Sequence, residues 1–165
     1  MNVSFQQIDT RSELLERLGR QQRSVLLGDD DEAPREFYVG GSPACTIGVC
    51  SQGLGVKPFS VVDEVAEEIW VGYNSKVANV DMLKCQTRFV VRLDCVFYTF
   101  LEAVRGDSVI VIYELGACRI SRSGKVLWNH PTDLVLEYRD GGNVLYLRTS
   151  DGVMTIEKRQ GVLQR

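Results

Sequence analysis

Apolar and polar residues alternate in short runs along most of the chain, and turn residues separate the runs. Residues 108–112 and 116–121 form one pair of such runs, and residues 143–147 and 152–157 form another. Alternation of this kind is typical of β-strands, because successive side chains of a strand point to opposite faces of a sheet. The pattern therefore predicts a chain made mainly of antiparallel hairpins.

A helical pattern stands near the start of the chain. Thr10 and Glu13 have the spacing of a capping box, in which each side chain satisfies a free backbone amide of the first turn. Three leucines follow with helical spacing: Leu14, Leu15 and Leu18. Gly19 is a typical helix end. We predict a short amphipathic helix over about residues 11–18, which must pack against a sheet because so short a helix is marginal in water.

The hairpins recur with a period of 35–40 residues. Ile69 and Val109 are 40 residues apart, and Val109 and Val144 are 35 apart. Four short strands in such a period are typical of propeller blades, which bury their apolar faces against one another. We predict one all-β domain, mainly antiparallel, with these parts: a helix segment at 1–23, a degenerate repeat at 24–57, and repeats at 58–96, 97–133 and 134–165.

The second of these three repeats ends in a motif. Residues 117–128 read ACRISRSGKVLW, a strand and a polar turn that lead to Gly-Lys-x-x-Trp. This stretch resembles the tryptophan-docking repeat of quinoprotein-type and WD-like β-propellers. The resemblance implies propeller-like sheets over about residues 58–165. A β-trefoil also contains three copies of four strands, and it is the alternative fold.

Composition and charge narrow the class of partner. The 165 residues carry a net charge of −3, and their Lys and Arg residues are scattered, whereas nucleic-acid binding needs a clustered basic surface. No apolar run reaches the roughly 18 residues of a membrane span. The first residues lack the basic start and apolar stretch of a signal peptide. We therefore expect no nucleic acid and no membrane as a partner, and a cytoplasmic location.

The cysteines favour a reducing compartment. Their number is odd, and no pair has C-x-x-C spacing: Cys45, Cys50, Cys85, Cys95 and Cys118. A chain of this length does not need disulfides to hold a core. We expect small buried thiols, with a disulfide such as Cys45–Cys50 as the alternative.

Groups with catalytic chemistry are few. His130 is the single histidine of the sequence, and a general base needs a nucleophile and an orienting acid beside it. No Cys/His spacing suits zinc. The carboxylate pairs Asp63-Glu64 and Glu67-Glu68 are expected to lie in solvated turns. We predict no catalytic residue, no metal and no cofactor.

Two sets of residues are the candidates for binding a partner. The first is an acidic run that a proline follows, which predicts an exposed loop: Asp29, Asp30, Asp31 and Glu32. The second is a strand-to-strand turn at Tyr73 and Asn74. The acidic run would steer a basic partner toward the chain. We expect a non-enzymatic protein-binding module that works in the manner of an immunity or inhibitor protein and caps a basic partner.

Two other functions remain open at this point. A small-ligand-binding protein or enzyme would have a pocket where the sheets converge, lined by polar strand residues such as Asn79, Arg92 and Arg119. A structural subunit would instead cover the exposed faces of its end repeats by forming an oligomer, for example a homodimer.

Overall fold

The computed structural model of the chain describes residues 3–29, 33–101 and 107–164. These residues form sixteen strands and one helix, in this order: β1 (Gln6–Ile8), α1 (Arg11–Gly19), β2 (Ser24–Leu27), β3 (Glu36–Ser42), β4 (Cys45–Ser51), β5 (Phe59–Asp63), β6 (Glu68–Tyr73), β7 (Lys76–Asp81), β8 (Gln86–Arg92), β9 (Phe97–Leu101), β10 (Ser108–Tyr113), β11 (Gly116–Ser121), β12 (Val126–Pro131), β13 (Val135–Asp140), β14 (Val144–Thr149), β15 (Gly152–Glu157) and β16 (Leu163–Gln164).

The strands form four separate sheets of four. We name them sheet A (β1–β4), sheet B (β5–β8), sheet C (β9–β12) and sheet D (β13–β16). Sheets A and B belong to one compact unit, Met1–Arg92, and sheets C and D to a second, Leu93–Arg165. The mainly antiparallel all-β prediction with one helix is confirmed, and separate four-stranded sheets are the arrangement of propeller blades rather than of the trefoil alternative.

Sheet A departs from the regular pattern of the other three. Sheets B, C and D are meanders in which each strand pairs with the next, whereas sheet A has the order β1-β3-β4-β2. Its strand β2 runs parallel to β4, with Val25 opposite Ile47. Strand β1 was not predicted, because three residues with little alternation carry no strand signal of their own.

The repeat is confirmed in register, with a correction of one residue in its third copy. Ile69 pairs with Val80, and Val109 pairs with Ile120. The corresponding pair in sheet D is Leu145 with Ile156, and not Val144, whose neighbour on β15 is Glu157. Because side chains alternate between faces, a shift of one residue moves a position to the other side of the sheet.

The core of the first unit lies between sheets A and B. Buried side chains from both sheets meet there: Leu27, Tyr38, Cys45, Ile47, Val49, Ile69, Val71, Tyr73, Ala78, Val80 and Cys85. Helix α1 covers the opposite face of sheet A, where Leu14 and Leu18 pack with Ile8 and Cys50. The helix was predicted correctly, and its cap is in place, since the Glu13 amide donates to the Thr10 hydroxyl at 3.1 Å.

The core of the second unit lies between sheets C and D. Its buried residues are Leu101, Ile110, Ile112, Ala117, Trp128, Val135, Leu145, Leu147 and Ile156. The opposite face of sheet D carries charged and aromatic side chains. There Arg148 donates to Glu137 at 2.9 Å, and the Arg139 guanidinium lies 4.7 Å from the centre of the Tyr146 ring. Charged and aromatic side chains of this kind are suited to contact with water.

Within the described ranges, no helix is long and apolar enough to cross a membrane.

Candidate functional site

The acidic run begins where strand β2 ends. Asp29 is the one member within the described residues, and Asp30, Asp31 and Glu32 lie outside them. The Asp29 carboxylate accepts hydrogen bonds from Arg11, at 3.1 Å from Nε and 2.7 Å from Nη2. This bond raises the pKa of the Arg11 guanidinium. About half of each side chain is exposed, so Asp29 fixes the start of the loop to helix α1 rather than standing alone.

The surface position predicted for Tyr73 and Asn74 is wrong. Tyr73 is 2% exposed and Asn74 is 4% exposed. The Asn74 Oδ1 atom accepts hydrogen bonds from the Ser51 hydroxyl and the Gln52 amide, each at 3.0 Å. The turn between β6 and β7 therefore packs against the end of β4 in the neighbouring sheet. A turn signal in a sequence does not show whether a second sheet covers the turn.

A groove of about 400 Å³ nevertheless brings Asp29 and Tyr73 together. It lies between strand β2 at the edge of sheet A and strand β8 at the edge of sheet B. We call it the β2–β8 groove, and its lining is Leu26, Leu27, Gly28, Asp29, Tyr73, Thr87 and Val90. Its apolar lining residues are Leu26, Leu27, Tyr73 and Val90, and Val90 is 44% exposed, so the groove offers apolar surface at Val90 to an incoming side chain.

Gly28 shapes one end of the groove. Its φ is +75°, in the left-handed region that favours glycine. A Cβ atom there would overlap the Cys50 carbonyl oxygen and lie 3.2 Å from the Tyr73 ring. Only a glycine lets the chain leave β2 so close to this ring and continue into the acidic loop.

An ion-pair network around the buried Glu68 carboxylate supports strand β8. Glu68 is 1% exposed, and it accepts hydrogen bonds from Trp70 Nε1 and Arg88 Nη1, both at 2.9 Å. Arg88 also donates to Asp81 at 3.0 Å. The expectation that Glu68 lies in a solvated turn is therefore wrong, because the carboxylate has indole and guanidinium partners that make its burial possible.

The cysteine prediction needs the largest correction. Cys45 and Cys85 form a disulfide with their Cα atoms 5.2 Å apart, so the five thiols are not all free and the bonded pair is not Cys45–Cys50. The bonded residues are 40 positions apart and lie in different sheets, which only the tertiary packing brings together. A disulfide is typical of oxidising compartments, and it argues against the cytoplasmic location expected from the sequence.

Two of the three remaining thiols are poor nucleophiles. Burial raises the pKa of Cys118 to about 12. The Cys95 thiol donates a hydrogen bond to Glu114 at 2.7 Å, and this bond raises its pKa. A thiol must lose its proton to attack a substrate, so both groups are held in their unreactive form near neutral pH.

The other polar candidates have structural contacts. His130 Nε2 lies 2.6 Å from the Gly161 carbonyl oxygen. Arg119 donates to the Ser108 hydroxyl at 2.8 Å and also to the Arg159 carbonyl oxygen. Both residues thus connect sheet C to the turn before β16. Among the described residues, no group of three His, Cys, Asp or Glu side chains could hold a metal ion.

Asn79 is a different case. Its side chain is fully buried, and neither its Nδ2 nor its Oδ1 atom has a hydrogen-bond partner in the described part of the chain. A buried amide without a partner costs roughly 1–3 kcal/mol. The Asn79 side chain therefore lowers stability where it stands.

Comparison with known proteins addresses the fold. No protein-family model and no curated protein matches the chain. Among solved structures, it is similar to the computationally designed Ika8 protein, with a TM-score of 0.53, 13% identity, and coverage of 78% of this chain and 45% of that one. It is also similar to BamB from Moraxella catarrhalis, with a TM-score of 0.50, 18% identity, and coverage of 87% and 51%.

These neighbours include propeller-type repeat folds. The chain has a β-propeller-like fold. At identities below 20%, the likeness extends to the fold alone. The propeller-like chain spans about half the length of Ika8 and of BamB.

Proposed function

We propose that this propeller-like chain is a non-enzymatic protein-binding module whose contact surface is the β2–β8 groove together with the acidic loop that leaves β2. One observation carries the proposal: two edge strands from different sheets enclose a groove with Leu26 and Val90 on its walls, and an acidic run begins at its rim. Edge strands have free backbone groups that an extended segment of a partner can pair with.

The chemistry of the groove indicates the kind of partner. Leu26 and Val90 offer apolar contacts from opposite walls, and the sequence after Asp29 adds three further acidic residues. The fitting partner is a basic protein with an extended segment in which apolar side chains alternate with Lys or Arg. Attraction between unlike charges would raise the rate of encounter, and the apolar contacts would slow dissociation. An immunity or inhibitor protein would work in this way.

We also propose that the repeats are of the tryptophan-docking type. Trp128, the last residue of the Gly-Lys-x-x-Trp motif, donates from Nε1 to the Lys158 carbonyl oxygen at 3.0 Å. Its indole also contacts Gly161, where a Cβ atom would lie within 2.5–2.8 Å of Trp128 atoms. In this interpretation the motif is a joint between neighbouring sheets and carries no cofactor chemistry.

The non-enzymatic part of the proposal is supported by the polar side chains. His130 and Arg119 are engaged by the turn before β16, and the thiols of Cys95 and Cys118 are held protonated. A catalytic set needs a nucleophile, a base and an orienting group within hydrogen-bond reach of one another. None of these four side chains belongs to such a set in the described residues.

The test is a selection of random linear peptides displayed on phage against the purified chain. The proposal expects selected peptides in which basic and apolar residues alternate, with affinity measured by fluorescence anisotropy. Val90→Lys should weaken the binding of such a peptide by about tenfold or more, since it places a charge in the apolar contact. Neutralising the loop with Asp30→Asn, Asp31→Asn and Glu32→Gln should weaken binding and reduce its salt dependence.

A matched control is Val153→Lys, which changes another exposed valine in the second unit, 70% exposed. This variant should bind the peptide as the natural chain does. The proposal fails if no peptide is selected, or if the peptides bind Val90→Lys as tightly as the natural chain.

A further inference from the structure

Strand β13 is an edge of sheet D with exposed apolar side chains. Leu136 is 48% exposed and Tyr138 is 46% exposed, and Leu134, just before the strand, is 40% exposed. The corresponding first strand of sheet C is different: Phe97, Phe100 and Leu101 of β9 are all buried. A long edge strand with uncovered apolar side chains is a template for pairing with another strand.

Two other edge strands carry features that block such pairing. Strand β16 has only two residues, and β12 ends at a proline. Short length, proline and charge are the usual means by which proteins protect sheet edges. Strand β13 has six residues, no proline and a β-bulge at Leu136, and its exposed charges Glu137 and Arg139 are of opposite sign, so that a second copy can pair with them.

We propose that β13 pairs with β13 of a second copy of this chain, antiparallel and about a two-fold axis at Tyr138. In this register Glu137 of each copy lies opposite Arg139 of the other, so that two unlike charge pairs form across the joint. An axis at Glu137 would place the two Glu137 carboxylates opposite each other, which is unfavourable. A two-fold contact is the commonest way in which identical chains associate.

The charges of sheet D continue into the proposed pair. Within one copy, Glu137 already lies beside Arg148 on β14, and Arg139 lies over Tyr146. Pairing extends this into one row across four strands, in the order Arg148, Glu137, then Arg139 and Tyr146 of the second copy. On the opposite face, the Tyr138 side chains of the two copies meet.

The proposal differs from closure of a ring by stacking end faces. The outer face of sheet D carries the charged residues Glu137, Arg139 and Arg148 beside Val153, and the outer face of sheet A is covered by helix α1, so neither is a continuous apolar surface for stacking. Edge pairing uses residues of the second unit alone, whereas the β2–β8 groove belongs to the first. The two proposals can therefore fail independently of each other.

The experiment is light scattering coupled to size exclusion, over chain concentrations from micromolar to millimolar, under conditions that keep the disulfide intact. The natural chain should shift with concentration from the mass of one chain to twice that mass. The double variant Leu136→Lys/Tyr138→Lys should stay at the mass of one chain. Glu137→Arg and Arg139→Glu should each weaken association by about tenfold or more, and the two together should restore it.

Controls separate loss of pairing from loss of the fold. Val153→Lys introduces the same charge on β15, an interior strand of the same sheet, and should keep the association of the natural chain. Circular dichroism should show the same β content for every variant. A natural chain that stays at the mass of one copy at all concentrations overturns the proposal. A dimer that persists in Leu136→Lys/Tyr138→Lys also overturns it, and failure of the charge exchange to restore association overturns the register.

Discussion

Two turns at equivalent places in the repeat have similar hydrogen bonds and backbone angles. They are residues 82–85, before β8 of sheet B, and residues 158–161, before β16 of sheet D. Each follows an acidic residue that accepts hydrogen bonds from the turn: Asp81 from the Leu83 and Lys84 amides, and Glu157 from the Arg159 and Gln160 amides. Each turn ends at a residue in the left-handed region, Cys85 with φ of 52° and Gly161 with φ of 72°.

The two turns differ in how they hold the neighbouring sheet. Cys85 is bonded covalently to Cys45 of sheet A, and Arg23 donates to the Leu83 carbonyl oxygen. The second turn is held without a covalent bond. Trp128 of sheet C donates to the Lys158 carbonyl oxygen and packs against Gly161, and His130 Nε2 lies beside the Gly161 carbonyl oxygen. The two turns therefore have a similar backbone, whereas the contact with the neighbouring sheet is a disulfide in one and hydrogen bonds in the other.

Removal of the indole should have the largest effect on stability. Trp128 is 9% exposed and packs with the core between sheets C and D. We expect Trp128→Ala to lower the free energy of unfolding by about 3–5 kcal/mol, as truncation of a buried aromatic residue does. Urea denaturation followed by circular dichroism measures this change.

Trp128→Phe is the matched control for that variant. It keeps most of the apolar contact and loses the hydrogen bond to the Lys158 carbonyl oxygen, so its cost should be clearly smaller. Equal costs for the two substitutions would show that packing of the ring is not what stabilises the joint.

Loss of the disulfide should come next. The bond closes a segment of 40 residues, and a crosslink of that span contributes about 2–4 kcal/mol by limiting the unfolded chain. We expect Cys45→Ser to lower the unfolding midpoint in urea by the amount that a reducing agent lowers it in the natural chain. In Cys45→Ser itself, the reducing agent should have no further effect.

Cys85→Gly probes the shared backbone of the two turns. In the Cys45→Ser background no disulfide can form, and glycine adopts a φ of 52° without the cost that a side chain carries there. Cys85→Gly should therefore be more stable than Cys85→Ser by about 1 kcal/mol. The opposite order would contradict the equivalence of Cys85 and Gly161.

Gly161→Ala should have an intermediate effect on the second turn. The added methyl group would sit in the left-handed region and against the Trp128 indole, with an expected loss of about 2 kcal/mol. Gly142→Ala is the matched control, since Gly142 has a φ of 78° but open space around its Cβ position. Gly142→Ala should lower the free energy of unfolding by less than Gly161→Ala, because its methyl group meets no indole.

Acidification should give the smallest effect. Backbone hydrogen bonds, from Lys84 to Asp81 and from Gln160 to Glu157, are the main causes that lower the pKa of each carboxyl group. A lowered pKa in the folded state stabilises the fold above the unfolded value, near pH 4, and this contribution disappears as the pH falls through the folded value. Asp81→Asn and Glu157→Gln should each make the unfolding midpoint less dependent on pH between about pH 2 and 5, as thermal melts can show.

Much of the fold could be predicted because its signals are local. Alternation marked the strands of sheets B, C and D, and Thr10 with Glu13 marked the helix start. Strand β1 and the parallel pairing of β2 escaped prediction, because both depend on contacts with residues far along the chain. The one-residue error in the third copy also arises from distant contacts, because Val144 and Leu145 are both apolar and only pairing with β15 distinguishes them.

The site was less predictable than the fold. Asp29 could be found from composition, and it does lie at the rim of the groove. Tyr73 and Asn74 carried a surface-turn signal, but a second sheet covers them. Val90 and Leu26 carried no functional signal, since they are ordinary strand residues that become a groove only when two sheets come together.

The Cys45–Cys85 disulfide joins sheets A and B, whose edge strands form the β2–β8 groove. Non-reducing peptide mapping by mass spectrometry tests this disulfide most directly. The structure predicts that a peptide containing Cys45 is linked to the peptide containing Cys85, while Cys50, Cys95 and Cys118 are recovered as alkylated thiols. A Cys45–Cys50 link, or five alkylated cysteines from the chain isolated without a reductant, would contradict a covalent connection between sheets A and B.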